Sequence, residues 1–187
     1  VEAQDIFALL AIFALLTIFA SKIEARSPQK SKARTTTMED TDRRILRELQ
    51  RDGRVTNQEL ARRANLSPAA CFERVKRLRE KGVITGYAAI LDPAKLDRAL
   101  LIFVEVHLDR TTEETFERFA AHVRRAPEVL ECHMVAGGFD YLIKARVKDM
   151  AAYRAFLGET LVAMPGVRET RTYAVLEEVK NTLELPV

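Results

Sequence analysis

Within the 187 residues, the stretch TNQELARRANLSPAACFERVKRLREKGVI (56–84) gathers side chains suited to a polyanion. Ser67, Ala69 and Ala70 are small enough to let a helix approach base edges closely. Glu73, Lys76 and Arg77 follow at helical spacing and can exchange hydrogen bonds with bases. Arg54, Arg62, Arg63, Arg74 and Arg79 flank that face as guanidiniums suited to phosphates, and the amides of Asn57 and Gln58 can donate to the same oxygens. Phosphate contacts add affinity without sequence information, whereas groove contacts discriminate. Glu73 has two uses of equal weight: accepting from a cytosine amino group, or pairing with Arg77 one turn on.

Three short helices must position these groups. Ile45, Leu46 and Leu49 define an amphipathic first helix that closes near Gly53. Thr56 with Glu59 has capping-box spacing, and Leu60, Ala61 and Ala64 share one face of a second. Asn65-Leu66 reads as a tight turn. Ser67 is an N-cap with Pro68 at the first helical position. Cys71, Val75 and Leu78 point inward along a third helix, and Gly82 stops it. Two helices joined by a very short turn make a helix-turn-helix, whose second helix places its N-terminal part in the major groove. Such units act in pairs on half-sites about one helical turn, or a multiple, apart.

A charge run is ordinarily only a solvated helix face. Segregation argues otherwise here. Residues 38–82 hold 12 Lys and Arg against 8 Asp and Glu, while residues 83–187 hold 13 against 16. A basic module beside an acidic one points to a polyanionic partner for the first. Tryptophan is absent, so no aromatic carbohydrate platform is implied. Cys71 and Cys132 fall in different predicted domains and read as reduced thiols of a cytoplasmic protein.

Catalytic readings fail on geometry. His107, His122 and His133 are scattered over different elements. Cys132 and His133 are adjacent in a strand and point to opposite faces, which rules out joint chelation of one metal. Gly137-Gly138 is not followed by the Lys-Ser/Thr of a phosphate loop. No enzyme activity, metal or cofactor is expected.

Residues 1–37 stand apart. Ile6 to Ala20 is an uncharged 15-residue run, short of the roughly 20 apolar residues a spanning helix needs, and Glu2 and Asp5 precede it where a secretory signal is basic. A polar, basic linker follows. Met38 is the expected functional start, with Val1 a literally translated GTG codon. No stable membrane association is expected.

After Gly82 the rhythm changes. VITGYAAILDP reads as a linking strand, with 85–98 as strand and hinge. LLIFVEVHL (100–108) is a strand, and TEETFERFAAHVRRAPEV a helix that ends near Pro127. VLECHMV (129–135) and YLIKARV (141–147) are strands around the GGFD turn. DMAAYRAFLGETLVAMPGV is a helix and VRETRTYAVLEEV (167–179) a closing strand. The order β-α-β-β-α-β, over 99–187, is ferredoxin-like. Two helices cover one sheet face. The other, carrying Leu101 and Phe103 with help from Tyr87 and Ile90, is too apolar to stay wet, so a dimer through this face is expected.

From Met38 to about Leu183 the chain resembles the Lrp/AsnC family. The resemblance is carried by DRRILRELQRDGRVTNQELARRANLSPAACFERVKRLREKGVITGY, LECHMVAGGFDYLIKARVKDMAAYRAFLGETL and PGVRETRTYAVLEEVK, in that order. It implies an α+β protein: an N-terminal (winged) helix-turn-helix domain, 38–84, joined to a ferredoxin-like effector and oligomerisation domain. It also implies a transcriptional regulator of double-stranded DNA, assembling as dimers and then octamers or other rings of dimers. An apolar amino acid such as leucine is the implied effector.

From the residues alone, AGGFDY (136–141) is a glycine-permitted hairpin turn. Gly137 and Gly138 allow positive φ and expose N–H groups for a carboxylate, and Asp140 can pair with an ammonium. The resemblance turns that loop into an effector pocket, with Met134 and Val135 at its base, Tyr141 beside it, and Thr160 and Leu161 closing it from a neighbouring subunit. Similar proteins often carry an acidic or amide residue where Gly138 stands. The competing reading is an allosteric or assembly subunit without specific DNA binding.

Overall fold

A computed structural model describes residues 38–187; the expected start at Met38 and the apolar run before it concern residues outside that range. The chain forms two compact units. One comprises residues 38–91 with Val179–Val187, the other Asp92–Glu178. The last residues, grouped by sequence with the second domain, thus belong with the first.

The helical unit contains α1 (Asp40–Arg51), α2 (Asn57–Ala64) and α3 (Pro68–Glu80). Thr56 caps α2 by accepting from Glu59 N, and Ser67 caps α3 by accepting from Ala70 N. The Glu59 carboxylate does not complete the capping box; it binds Arg62 and Arg63 instead. Asn65, left-handed at φ 56°, makes the turn between α2 and α3 tight, and Gly82 stops α3 at φ 70°. Asparagine and glycine tolerate that conformation best. Ile45, Leu46, Leu60, Ala61, Ala64, Cys71 and Leu78 form the core. The tail docks on the same unit: Gln50 Nε2 donates to Leu185 O at 3.0 Å, Leu185 N donates to Gln50 Oε1 at 2.6 Å, and Val187 packs against the core.

The expected strand over 83–93 is not formed. A strand needs a ladder partner, and the described residues offer none; Tyr87, Ile90 and Leu91 are exposed along it.

The second unit follows the expected order: β1 (Leu100–Leu108), α4 (Glu113–Val123), β2 (Val129–Met134), β3 (Tyr141–Val147), α5 from Met150 and β4 (Val167–Ala174). The antiparallel sheet runs β2-β3-β1-β4. Strict alternation along β1 sends Ile102, Val104, Val106 and Leu108 under the helices, where Phe116, Phe119, Val123, Tyr153, Phe156, Leu161 and Met164 meet them. α5 is regular only over Met150–Ala155 and widens to a π-helix over Phe156–Leu161. The wider turn brings Phe156 and Leu161, five apart, onto one buried face. β4 ends at Ala174, paired with Ile102, short of the expected 179; one further bond, from Val175 N to Leu101 O at 3.0 Å, closes the ladder.

The opposite sheet face mixes apolar and ionic groups. Phe103 and Leu142 lie among the pairs Lys144–Glu131 at 2.8 Å and Arg171–Glu169 at 3.3 Å, and Tyr173 Oη donates to Glu105 at 3.1 Å. Arg146, itself buried, pairs with Glu178 at 2.5 Å.

Candidate nucleic-acid interface and effector loop

The first candidate site is the outer face of α3. Ser67, Ala69, Ala70, Glu73 and Lys76 are all exposed, as the helical spacing requires. Cys71 and Leu78 anchor the other face at 0% and 3% exposure. The helix is therefore held from behind and presented in front.

Arg77 and Arg74 do not join that face. Asp42, on α1, is 6% exposed and accepts from both: Arg74 Nη1 at 2.8 Å and Arg77 Nη2 at 3.0 Å. Arg74 also pairs with Glu39 at 2.7 Å. A buried carboxylate needs partners, and these two guanidiniums satisfy it. Hydrogen bonds from Asp42 and then Glu39 raise the affinity of Arg74 for its proton. Arg77, expected at the groove, and Arg74, expected at a phosphate, are engaged here in bracing α3 against α1. With Arg77 turned to Asp42, Glu73 is left as an exposed acceptor on the outer face.

Three other residues are also partly committed. Asn57 Nδ2 donates to Pro68 O at 2.8 Å, stapling α2 to the start of α3 and leaving the second amide hydrogen for a phosphate. Arg62 and Arg63 converge on Glu59, with Arg63 also reaching Glu48 at 3.2 Å. These bonds, Arg62 first, pull the Glu59 carboxyl down to about 2. Both arginines keep exposed surface, and a phosphate would compete with Glu59 for them. Gln58 and Arg62 border an open groove of about 540 Å³ that runs to Leu66 and Pro68. The Arg54 and Arg79 side chains are exposed.

One exposed residue escaped the helical wheel. Phe72 sits on α3 at 56% exposure, one turn after Ala69 and one before Lys76. Its place next to the inward Cys71 gives no signal of that exposure.

The second candidate is the loop between β2 and β3. Asp140 is built into the sheet rather than presented. Its Oδ2 accepts from Leu108 N at 2.8 Å, its N donates to Val106 O at 3.0 Å, and its O accepts from Val135 N at 3.0 Å. One carboxylate oxygen is thereby spent on the end of β1. Gly137 and Gly138 are exposed with open space around them, and neither takes a positive φ. The freedom to take positive φ is not used here, and sterics at this loop do not demand glycine. Met134, Val135 and Thr160 are half-buried. Tyr141 and Leu161 are in the core, at 6% and 0% exposure, with the Tyr141 ring 4.5 Å from that of Phe119. Both were expected to line a pocket; within this chain strand alternation and the π-turn point them inward. Burial, followed by Cys132 and Asp140, raises the Tyr141 hydroxyl well above its ordinary range.

His107, by sequence only one of three scattered histidines, is unusual in the fold. Its Nε2 is the buried side-chain polar atom without a hydrogen-bond partner among the described residues, and its ring meets Phe139 of the loop edge-on at 6.4 Å. A buried ring nitrogen without a partner is costly, and marks a place where an incoming polar group would be welcome.

Comparison with known proteins places both units. Residues 38–85 match a family model described as winged helix-turn-helix DNA-binding, and residues 101–185 match the Lrp/AsnC ligand binding domain. A leucine-responsive regulatory protein of Salmonella typhimurium is 55% identical over 146 residues, covering 78% of this chain and 89% of that protein. Its Escherichia coli counterpart is 54% identical over the same length and shares. Among solved structures, a transcriptional regulator of Neisseria meningitidis in complex with L-Met shares 41% identity with a TM-score of 0.77, covering 80% of this chain and 97% of that one. An AsnC family transcriptional regulator of Agrobacterium tumefaciens gives 35% identity and a TM-score of 0.77, over the same shares.

Proposed function

Since the chain belongs to the Lrp/AsnC family of DNA-binding transcriptional regulators, we propose that it controls genes of amino-acid metabolism, reads DNA through the outer face of α3, and responds to a small apolar amino acid bound near the β2–β3 loop. The observation that carries the DNA reading is the arrangement of α3 itself: capped, braced by the Asp42 pairs, and exposed along Ser67, Ala69, Ala70, Glu73 and Lys76. A rigid helix holds base-reading groups in register at low entropic cost. Arg54 and Arg79 supply phosphate contacts, with Gln58, Arg62 and Arg63 beside them.

The effector reading draws on the unpartnered His107 Nε2 beside Phe139 and on the exposed backbone of Gly137 and Gly138. Relatives that carry leucine in their name, and one bound to L-Met, favour an unbranched or γ-branched apolar side chain. A second copy of the chain would cover Phe103, Leu142 and the exposed linking segment, and dimers would assemble further into an octamer or another ring of dimers.

Mobility shift with a pool of genomic duplex fragments, in rising salt, tests the DNA reading. Selective, salt-sensitive retention is the expected result; absence of retention at low salt would remove it. Calorimetric titration with the twenty amino acids tests the effector reading, repeated with His107→Phe and Asp140→Ala. Leucine or methionine is expected to bind, more weakly to His107→Phe. Binding by none of the twenty would leave 135–140 as a structural turn. Sedimentation at micromolar protein is expected to show dimers or larger species, and monomers alone would contradict the assembly.

A further inference from the structure

We propose that Phe72 is a specificity-determining residue that reads the C5-methyl group of a thymine in the major groove. The inference rests on the DNA reading of α3 above and adds to it a base preference.

Phe72 is an aromatic side chain left 56% exposed in the middle of a helix whose Cys71 and Leu78 are buried and whose Val75 is half-buried. It shares its surface with Ala69 one turn before and Lys76 one turn after, and both are exposed. Two small residues at positions 69 and 70 let the helix sink toward base edges. Lys76 and the flanking Arg79 bring the positive charge that a phosphate-lined groove attracts, so an apolar group at this point meets DNA before it meets another protein surface.

The decisive observation is what stands around it. The residues that could read guanine bidentately, Arg74 and Arg77, are turned back and held by Asp42 at 2.8 Å and 3.0 Å. The centre of the exposed face therefore presents an aromatic edge rather than a guanidinium. In the major groove the apolar feature that distinguishes one base from the others is the thymine methyl, and apolar side chains read it by contact. A phenyl ring five residues beyond the N-cap Ser67 stands in the part of a recognition helix that enters the groove.

The test uses the full chain and a duplex site selected from a random pool by the wild-type protein. Each thymine of that site is replaced in turn by deoxyuridine, which deletes only the methyl. Dissociation constants are measured for wild type, Phe72→Ala and Phe72→Leu. Wild type should lose about 4-fold in affinity at one thymine per half-site, the factor expected for one buried carbon. Phe72→Ala should bind the thymine duplex about that much more weakly and be indifferent to the deoxyuridine at that position. Phe72→Leu should keep part of the discrimination. Equal deoxyuridine penalties in wild type and Phe72→Ala at every position, or no penalty in wild type, would overturn this inference alone. Failure of wild type to select any site would overturn the DNA reading and this inference with it.

Discussion

Replacing Asp42 by Ala should loosen the whole helical unit, although the residue lies on α1 and far from any base-reading position in sequence. The carboxylate is 6% exposed and accepts from Arg74 at 2.8 Å and Arg77 at 3.0 Å. Hydrogen bonds to charged groups contribute roughly 1.5–3 kcal/mol each when shielded from water. Here the side chains of Arg74 and Arg77 keep 26% and 42% of their surface, so both can recover hydration, and Arg74 retains Glu39. A net loss of about 2 kcal/mol follows, below the roughly 3–5 kcal/mol of a fully buried pair broken on one side. Native-state hydrogen exchange reads the helical unit separately from the sheet. The amides of Ile45, Cys71 and Leu78 should exchange roughly 30-fold faster in the variant, since each ~1.4 kcal/mol is a factor of ten. A double-mutant cycle with Arg74→Ala should give a larger coupling than one with Arg77→Ala, because Arg74 is the more buried. A change under threefold in exchange, or zero coupling with both arginines, would refute the bracing role and return Arg77 to the groove.

Ser67→Ala removes the cap on Ala70 N and should cost about 1 kcal/mol, with a matching loss from Thr56→Ala, both readable by the same exchange measurement. Gly166→Ala should destabilise the sheet unit by at least about 2 kcal/mol in thermal unfolding, because φ is +81° and a Cβ would lie 2.5 Å from Thr115 Cγ2. Burial pushes the Cys132 thiol up to about 11, so the thiolate is scarce at neutral pH. Labelling of native protein by iodoacetamide at pH 8 should run at least about 100-fold slower than for a free thiol, and rise about tenfold per pH unit until near pH 11. Fast labelling at pH 8 would show that the core around β2 opens readily.

The parts of this protein that were legible in its sequence are those fixed by neighbours along the chain. Thr56 and Ser67 announce helix starts because a cap acts over three residues. Period-two alternation exposed β1, and the order of elements gave the ferredoxin-like sheet. What stayed hidden depends on distance or on competition. Asp42 reads as an ordinary acidic residue in a first helical turn, and its arginines lie 32 and 35 residues away. No helical wheel of α3 alone can show that Arg77 has a better partner on α1. Tyr141 and Leu161 were assigned to the effector loop by resemblance, and packing sends both inward. The strand expected at 83–93 has the right composition, but composition cannot supply the ladder it needs. Phe72 lies beside an inward cysteine, and nothing in the local pattern marks it as exposed.

The docking of the tail has a thermodynamic meaning of its own. The pair between Gln50 and Leu185 closes a loop of 135 residues. With the helices formed and the sheet unit unfolded, residues 81 to 184 of that loop are flexible, roughly 100 in all. Once the sheet unit is folded, only the segments on either side of it, roughly 25 residues in all, remain free of helix or strand. Each halving of a flexible loop lowers the entropy of closing it by about 0.6 kcal/mol, so the fourfold shortening favours the tail clasp by roughly 1.2 kcal/mol. That gain requires no contact between the sheet and the helices. Folding of the inserted unit thus strengthens the hold of the chain end on α1 by chain statistics alone, and melting of the sheet weakens that hold by the same amount without touching the groups it binds.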